Sequence, residues 1–236
     1  MTEPVVLIPG MMSDARSVMG QLLALGAAFS VQICLPTQSQ TVEQMAEATL
    51  AVAPRNFVLI GQGLGGIVAL EMIRRASDRI TRVVLMATDP LPEDPKIAAT
   101  REARMVAARA GRLGQVVAEE VPEASLAETA ERGMVMALLR EMALDLGEGV
   151  FLRQSRAMQR RPDQQKTLRR ATMPALLIAG AADRLVPPRR AEFMANLMPR
   201  ASAVVLPDAG HLPTIEAPDA VNAVLLPFLA APLLLR

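Results

Sequence analysis

Short apolar runs alternate with stretches of helical periodicity along most of the chain. Six runs are almost continuously apolar and lack the polar alternation of a half-exposed strand: residues 5–8, 31–35, 57–60, 82–87, 175–179 and 203–206. Strands of a parallel sheet are covered on both faces and have this pattern. We therefore predict a mostly parallel sheet of about six strands.

Segments with helical periodicity lie between most of these runs, at residues 16–25, 42–53, 64–76, 189–197 and 218–229. Thr41, with Gln44 three residues later, has the pattern of a helix N-cap. Regular alternation of strand and helix predicts an α/β fold, in which helices flank a parallel sheet through right-handed crossovers.

This alternation stops between the fourth and fifth apolar runs. Residues 96–111, 116–120, 126–146 and 150–161 have helical patterns, separated by Pro122, Gly147 and Pro162. We predict that residues 89–170 form an inserted helical cap. Residues 1–88 and 171–236 would then form the α/β core.

Composition excludes several classes of protein. The 236 residues are 51% hydrophobic and carry a formal net charge of +1, without the basic stripe of a nucleic-acid-binding protein. Cys34 is the only cysteine, so no disulfide can form within the chain. Neither a signal peptide nor an apolar stretch of membrane-spanning length is apparent, which favours the cytoplasm and no membrane partner. We see no metal-ligand cluster and predict no cofactor or metal; the oligomeric state is left open.

Glycine-rich and polar segments follow four of the predicted strands. They are "PGMM" at 9–12, "GQGLGG" at 61–66, "GAADRLVP" at 180–187 and "PDAGHLPTIEAP" at 207–218. The carboxyl ends of parallel strands share one edge of a sheet, where ligands of open α/β sheets bind. One carboxylate, Asp183, and the only histidine, His211, therefore converge with two glycine loops.

With these segments the chain resembles the α/β-hydrolase superfamily, of the capped serine esterase type. The order of elbow, acid and histidine is that of the family. The resemblance implies a catalytic pair of Asp183 and His211 and an oxyanion hole from the backbone N–H groups of Met11 and Leu64. It also places Gly63 at the nucleophile position of the G-x-S-x-G elbow. The chain departs from the family there and in the apparent absence of its first strands.

Gly63 suits the elbow sterically but not chemically. The elbow residue has strained backbone angles, which glycine adopts without the cost of a Cβ. It has no hydroxyl, however, so the chain as written should be inactive or nearly so. Ser13, Ser17 and Cys34 are poor substitutes for the missing nucleophile because of their positions on the first loop and within a strand.

The glycine turn and the catalytic acid each have an alternative interpretation. Gly61, Gly63 and Gly66 also match the G-x-G-x-x-G turn of NAD(P)-binding oxidoreductases, with Asp89 near the position of a ribose-binding acid. That motif alone is weak, and it leaves the first loop, the acid and the histidine without a role. Asp208 competes with Asp183 as the acid.

Methionines and arginines are abundant in the predicted cap. Most methionines should fill the core, but we expect a few to line an apolar substrate site, namely Met12, Met105, Met134 and Met158. The cap arginines are interpreted as a solvated face, while an acidic substrate tail or an acyl carrier protein stays possible; they include Arg101, Arg104, Arg109, Arg153, Arg156 and Arg160.

The resemblance implies a serine-type carboxylic ester hydrolase that acts on a small, largely apolar ester through an acyl-enzyme. Thioester, lactone and C–C bond hydrolysis are chemically adjacent. Gly63 would mark an inactivated variant of such an enzyme. The alternative is a natural, non-catalytic protein of this fold that binds a ligand without turnover.

Overall fold

The computed structural model describes residues 3–232, and its centre is a six-stranded, all-parallel sheet. The strands are β1 Val5–Ile8, β2 Val31–Ile33, β3 Phe57–Gln62, β4 Ile80–Met86, β5 Ala175–Gly180 and β6 Ala201–Leu206. Their order across the sheet is β2-β1-β3-β4-β5-β6. The predicted fold class and all six strands are confirmed.

The strand ends differ from the prediction where the sheet meets solvent or the site. β2 ends at Ile33, two residues early, and all three of its residues are half-buried because it is an edge strand. The other edge strand, β6, is likewise only partly covered. β3 continues through Gly61 to Gln62, both buried beside β4. The continuously apolar pattern therefore predicts the central strands better than the edges.

Eleven α-helices accompany the sheet within residues 3–232: α1 Met19–Gly26, α2 Val42–Val52, α3 Leu64–Ala76, α4 Pro95–Ala107, α5 Leu113–Glu120, α6 Arg132–Leu146, α7 Glu148–Gln159, α8 Gln165–Arg170, α9 Arg189–Leu197, α10 Pro213–Glu216 and α11 Pro218–Ala230. Helices α2, α3 and α9 cover one face of the sheet. Helices α1 and α11 cover the other. The sheet thus lies between two hydrophobic layers. Thr41 caps α2 as predicted, because its side chain accepts a hydrogen bond from Gln44 N.

The segment between β4 and β5 is helical, with a hydrophobic cluster of its own. Residues of α4 to α7, including Met105 and Phe151, pack there together with Met12 and Leu212 of the core loops. We keep the name cap for residues 89–170. The cap therefore packs directly on the loops that carry the candidate site.

Helix bounds within the cap differ from the periodicity. The 96–111 prediction corresponds to α4 followed by a π-helical turn at Ala108–Arg112, where Gly111 has φ of 79°. Helix α6 begins at Arg132 rather than 126 because the preceding backbone makes other contacts, including one from Ala127 N to the Glu216 carboxylate. The short helices α8 and α10 were not predicted. Helix α8 packs against α3 and α9.

Between residues 3 and 232, no helix combines the length and apolar character needed to cross a bilayer.

A buried carboxylate ties α3 to the chain that leaves the cap. Glu71 is fully buried and accepts hydrogen bonds from Arg74 Nε at 2.7 Å, Arg75 Nε at 2.7 Å and Gln164 Nε2 at 3.1 Å. Burial by itself would raise the pKa of Glu71, but these hydrogen bonds outweigh burial and lower it. The ionised form therefore stabilises the folded chain.

We expect Glu71→Gln to lower the free energy of unfolding by about 1–3 kcal/mol at neutral pH, because charged hydrogen bonds are lost in a buried site. The folded-state pKa is lowered, so this contribution is present above the unfolded-state pKa of about 4.3 and is lost as the pH falls through the folded value. Urea unfolding at a series of pH values should show the deficit narrowing on acidification. Glu47→Gln, at a 75% exposed side chain 3.9 Å from Arg75, is the matched control and should change little.

Candidate active site

The candidate site lies where the strand order of the sheet reverses. From β1 the chain crosses to β2 on one side, and β3 then pairs with β1 on the other side. Crevices at such switch points, outside the carboxyl ends of the strands, bind the ligands of open α/β sheets. The loops after β1 and β3, which contain Gly10 and Gly63, border this crevice.

Gly63 forms the turn from β3 into α3. It has φ of 52° and ψ of −117°, its N–H donates to Met86 O at 2.9 Å, and its carbonyl accepts from Ile67 N at 3.1 Å. A Cβ built on it would lie 3.8 Å from Gly10 Cα, its nearest contact. The position therefore has space for a side chain but a backbone conformation that favours glycine.

The other glycines of the turn serve helix–strand packing. A Cβ on Gly65 would lie 2.1 Å from Ile8 O, one on Gly66 would lie 1.8 Å from Thr88 Oγ1, and one on Gly61 would lie 2.5 Å from Gly65 O. All three positions are filled by neighbouring backbone or side chains. The close approach of α3 to the sheet therefore explains why these three positions are glycine, as the elbow interpretation requires.

His211 and Asp183 form a pair. His211 Nδ1 lies 2.9 Å from Asp183 Oδ2, and the Asp183 side chain is fully buried. The second carboxylate oxygen, Oδ1, accepts hydrogen bonds from the N–H groups of Leu185 and Val186, both at 2.9 Å. The loop after β5 thus fixes the carboxylate, and the carboxylate orients the imidazole. The competing acid, Asp208, is exposed and lies outside the cavity lining.

Glu216 fixes the loop that carries His211. Its carboxylate accepts hydrogen bonds from Gly210 N at 2.9 Å, Leu212 N at 2.7 Å and Ala127 N at 2.7 Å. His211 N in turn donates to Ser125 O at 2.8 Å. The histidine loop is therefore held on both sides of the imidazole, and two of its contacts come from the cap. Glu216 was not predicted as a functional residue, since the short helix α10 has no clear periodicity.

The loop after β1 supplies the candidate oxyanion donors together with α3. The N–H groups of Met11 and Leu64 form no hydrogen bond with any residue from 3 to 232. Met12 has φ of 53°, and its N–H donates to Gln154 Oε1 at 2.8 Å. Gln154, on α7 and fully buried, also donates to Pro36 O at 3.1 Å. A cap side chain therefore holds the loop in its left-handed conformation.

A cavity of about 190 Å³ joins these groups. Its apolar lining includes Ile67, Val117, Leu139, Leu185 and Val186, and the imidazole of His211 also lines it. Its charged lining consists of Asp89, Glu93, Arg101, Arg104, Glu120 and Arg161. Among the described residues that line it, none has a hydroxyl, thiol or amine side chain. No hydroxyl or thiol nucleophile is therefore present among these lining residues.

The other polar candidates lie elsewhere. Ser13 Oγ donates to Met11 O at 3.3 Å and Ser17 Oγ to Asp14 O at 2.7 Å, and neither serine lines the cavity. Cys34 is also outside the lining, and burial raises the pKa of its thiol, which disfavours the reactive thiolate.

The four methionines expected at a substrate site are divided by the structure. Met12 and Met158 line the cavity. Met105 does not, because it is buried in the hydrophobic cluster of the cap. Met134 is 67% exposed on α6, so its expected place at the cavity is also corrected. Periodicity identified helical positions but not which helix face turns toward the core.

The expectation of a solvated arginine face is wrong for the arginines on the inner side of α4. Arg101 is buried and lines the cavity, as does the largely buried Arg104. Arg109 is exposed, as expected. In the described part of the chain, no group of three or more potential metal-binding His, Cys, Asp or Glu residues occurs.

A family model described as the alpha/beta hydrolase family matches residues 5–224. The match spans the sheet, the cap and both loops of the His211–Asp183 pair. The chain therefore belongs to the alpha/beta hydrolase family.

Within this family, the chain is similar to several proteins named as esterases. The chain is 28% identical over 201 residues to the pimeloyl-[acyl-carrier protein] methyl ester esterase of Aromatoleum aromaticum, covering 78% of each protein. It is 27% identical over 202 residues to the Vibrio vulnificus protein of the same name, covering 80% of this chain and 76% of that protein. The structure of a thermophilic esterase from Thermogutta terrifontis has a TM-score of 0.85 and 28% identity, over 97% of this chain and 90% of that one.

We expect Gly63→Ala to lower the free energy of unfolding by about 1–3 kcal/mol, because a Cβ is strained at φ of 52° even where space is open. Urea unfolding measures the change. Gly133→Ala is the matched control: Gly133 is an exposed residue of α6 with open space around it and no left-handed φ. It should raise stability by about 0.5–1 kcal/mol, since alanine favours helix. Equal effects of the two substitutions would contradict the strain at Gly63.

Proposed function

We propose that this chain is a serine-type carboxylic ester hydrolase in which Gly63 stands at the nucleophile position. As written, it binds a small, largely apolar ester with little or no turnover. The observation that carries the proposal is the convergence of the His211–Asp183 pair and two unbonded N–H groups around a turn with space for one side chain.

Without a hydroxyl at position 63, the chain as written cannot form an acyl-enzyme. In a Gly63→Ser variant, the serine Oγ would attack the ester carbonyl while the imidazole of His211 takes its proton. The N–H groups of Met11 and Leu64 would stabilise the resulting oxyanion. The protonated imidazole would then donate to the departing alcohol, leaving an acyl-enzyme. Water would repeat the sequence, releasing the acid and the free serine.

Asp183 has a positioning role in this scheme. Its carboxylate holds the imidazole in the tautomer with Nδ1–H and stabilises the imidazolium that forms after proton transfer. Because both carboxylate oxygens are already bound, one to His211 and one to two N–H groups, the pair needs little rearrangement during the reaction.

The relatives support an ester as the substrate. Both carry the name of an esterase for a methyl ester borne on an acyl carrier protein, and the thermophilic structural neighbour is also an esterase. A short methyl ester suits a cavity of about 190 Å³ with several apolar residues in its lining. An acyl carrier protein is a possible bearer of such an ester, and the cytoplasm is the expected compartment.

The first test restores the hydroxyl. We expect Gly63→Ser to hydrolyse short p-nitrophenyl and methyl esters with a burst of the first product, since an acyl-enzyme forms before water attacks. The chain as written and Gly63→Ala should show at most a slow background. Gly63→Ala is the matched control because it has the same backbone strain without the hydroxyl.

A folded Gly63→Ser variant that is silent on esters, thioesters and lactones would contradict the hydrolase proposal. It would favour the second candidate, a natural protein of this fold that binds a ligand without turnover. The left-handed φ of Gly63 gives that candidate a structural basis, because glycine is the least strained residue there.

The acid has a separate test. In the Gly63→Ser background, we expect Asp183→Asn to lower kcat by roughly 10⁴-fold, as in a known serine triad in which this change selects the wrong histidine tautomer. KM should change much less, because the buried carboxylate does not line the cavity. Asp208→Asn is the control at the competing acid and should leave kcat unchanged. Steady-state kinetics distinguish the two carboxylates.

A further inference from the structure

Arginines of the cap line the same cavity as the candidate site. Arg101 and Arg104 project from α4, and Arg161 follows α7. Their side chains are 5%, 20% and 8% exposed, respectively. Buried guanidinium groups are costly unless carboxylates or other acceptors compensate them. How far each of them is compensated therefore decides what the cavity can bind.

Two of the three arginines are well compensated. Arg101 binds Glu93 through Nε and Nη2, with Nη2 at 2.8 Å, and Glu120 Oε2 through Nη1 at 2.9 Å. Arg161 binds Glu93 Oε1 through Nη1 at 3.0 Å and Leu91 O through Nε at 2.8 Å. Glu93 is thus shared between two guanidinium groups.

The remaining carboxylate of the lining is also engaged. Asp89 Oδ1 lies 3.1 Å from Arg190 Nε and accepts a hydrogen bond from Leu91 N at 3.0 Å. Of the lining carboxylates, Glu93 and Asp89 are therefore engaged by other groups, and Glu120 binds Arg101 through one of its two oxygens.

Arg104 is the least compensated of the three guanidinium groups. Its guanidinium donates no hydrogen bond to any residue from 3 to 232, and its Nε is buried without a hydrogen-bond partner. Its Nη1 lies 3.3 Å from Glu120 Oε1, but that oxygen also has no hydrogen bond. The half-exposed Glu119 lies 3.8 Å from Nε, where water screens the attraction. A ligand in the cavity would supply a hydrogen-bond acceptor for this guanidinium.

The charge of Arg161 points the same way. Burial lowers the pKa of Arg161, and repulsion from Arg101 adds to this effect, although Glu93 and Asp89 oppose it. Burying Arg161 beside Arg101 therefore has an electrostatic cost, although both guanidinium groups are hydrogen-bonded to Glu93. An additional anion in the cavity would reduce the cost of burying these three arginines together.

We infer that Arg104, with Arg101 and Arg161 behind it, binds a carboxylate carried by the ester itself. The substrate class would then be half-esters of small dicarboxylic acids, with the ester at Gly63 and the free carboxylate at Arg104. This inference rests on the proposed function. A guanidinium fork matches a carboxylate with two parallel hydrogen bonds, and such charged bonds are stronger than neutral ones.

The cavity favours a small molecule as the bearer of this carboxylate. Its volume of about 190 Å³ is below the 300–1,000 Å³ typical of drug-sized ligands. Apolar residues such as Val117, Val121 and Leu139 share the lining with the arginines, so a short alkyl chain has apolar contacts between its polar ends. A phosphate of a carrier-bound substrate has the same charge chemistry and forms a separate arm of the test.

The test measures binding to the chain as written, which holds esters without cleaving them if it lacks turnover. Isothermal titration calorimetry compares monomethyl esters of saturated dicarboxylic acids of graded length with the corresponding dimethyl esters. We expect at least one monomethyl ester to bind about 10- to 100-fold more tightly than its neutral partner, because a charged hydrogen-bonded pair is gained. A methyl ester with a terminal phosphate, matched in chain length, should bind more weakly than the carboxylate.

Arg104→Gln should abolish this preference and leave the affinity for the dimethyl ester unchanged. The variant should fold, because the Arg104 guanidinium makes no hydrogen bond within the described chain and Arg101 still binds Glu120. Arg109→Gln, at an exposed arginine of the following turn, is the matched control and should keep the full preference. Arg104→Lys should retain part of it, since the charge remains without the fork.

Equal affinity for both esters, binding of neither, tighter binding of the phosphate, or an unchanged preference in Arg104→Gln would overturn the inference. Its failure is distinguishable from that of the proposed function. A carboxylate preference with a silent Gly63→Ser variant would refute the hydrolase and leave the anion site. Turnover by Gly63→Ser without a preference for half-esters would support the hydrolase and refute the anion site.

Discussion

The close approach of α3 to the sheet is the constraint on which the site depends. Gly65 lies against Ile8 O and Gly66 against Thr88, so the helix can begin only where the chain has just turned sharply out of β3. That turn forces Gly63 into the left-handed region and directs its N–H back to β4. The same turn leaves Leu64 N unbonded beside the loop after β1. Packing inside the core therefore leaves a free N–H group and open space at the turn, at the edge of the sheet.

The cap holds the loops of the candidate site in place through a few buried polar contacts. Gln154 holds the loop after β1 with Met12 in a left-handed conformation, and Ser125 and Ala127 hold the histidine loop together with Glu216. The strained backbone at Met12 persists because Gln154 fixes it, whereas Gly63 adopts its left-handed φ without the cost of a Cβ. The site is thus built by both parts of the chain.

Sequence patterns predicted the parts of the fold that depend on local periodicity. The six strands and the bounds of α3 and α9 follow from apolar runs and helical repeats, and the family resemblance implied the pair of His211 and Asp183 that the structure brings to 2.9 Å. Contacts between distant residues were not predictable in this way. Glu216 binds Ala127, 89 residues away, and no local pattern marks either residue. The burial of Arg101 was missed for the same reason, because its partner Glu120 lies on another cap helix.

The contacts that hold the histidine loop have a consequence for any attempt to exchange the cap. A cap exchanged for one from a relative would have to bring its own carbonyl for His211 N, its own N–H for Glu216 and its own amide for Met12 N. Without them, the imidazole and the loop after β1 would lose their supports at the moment of exchange. Cap and core are therefore structurally interdependent here, and a change of specificity is made more simply by single substitutions in the cavity wall than by exchange of the whole cap.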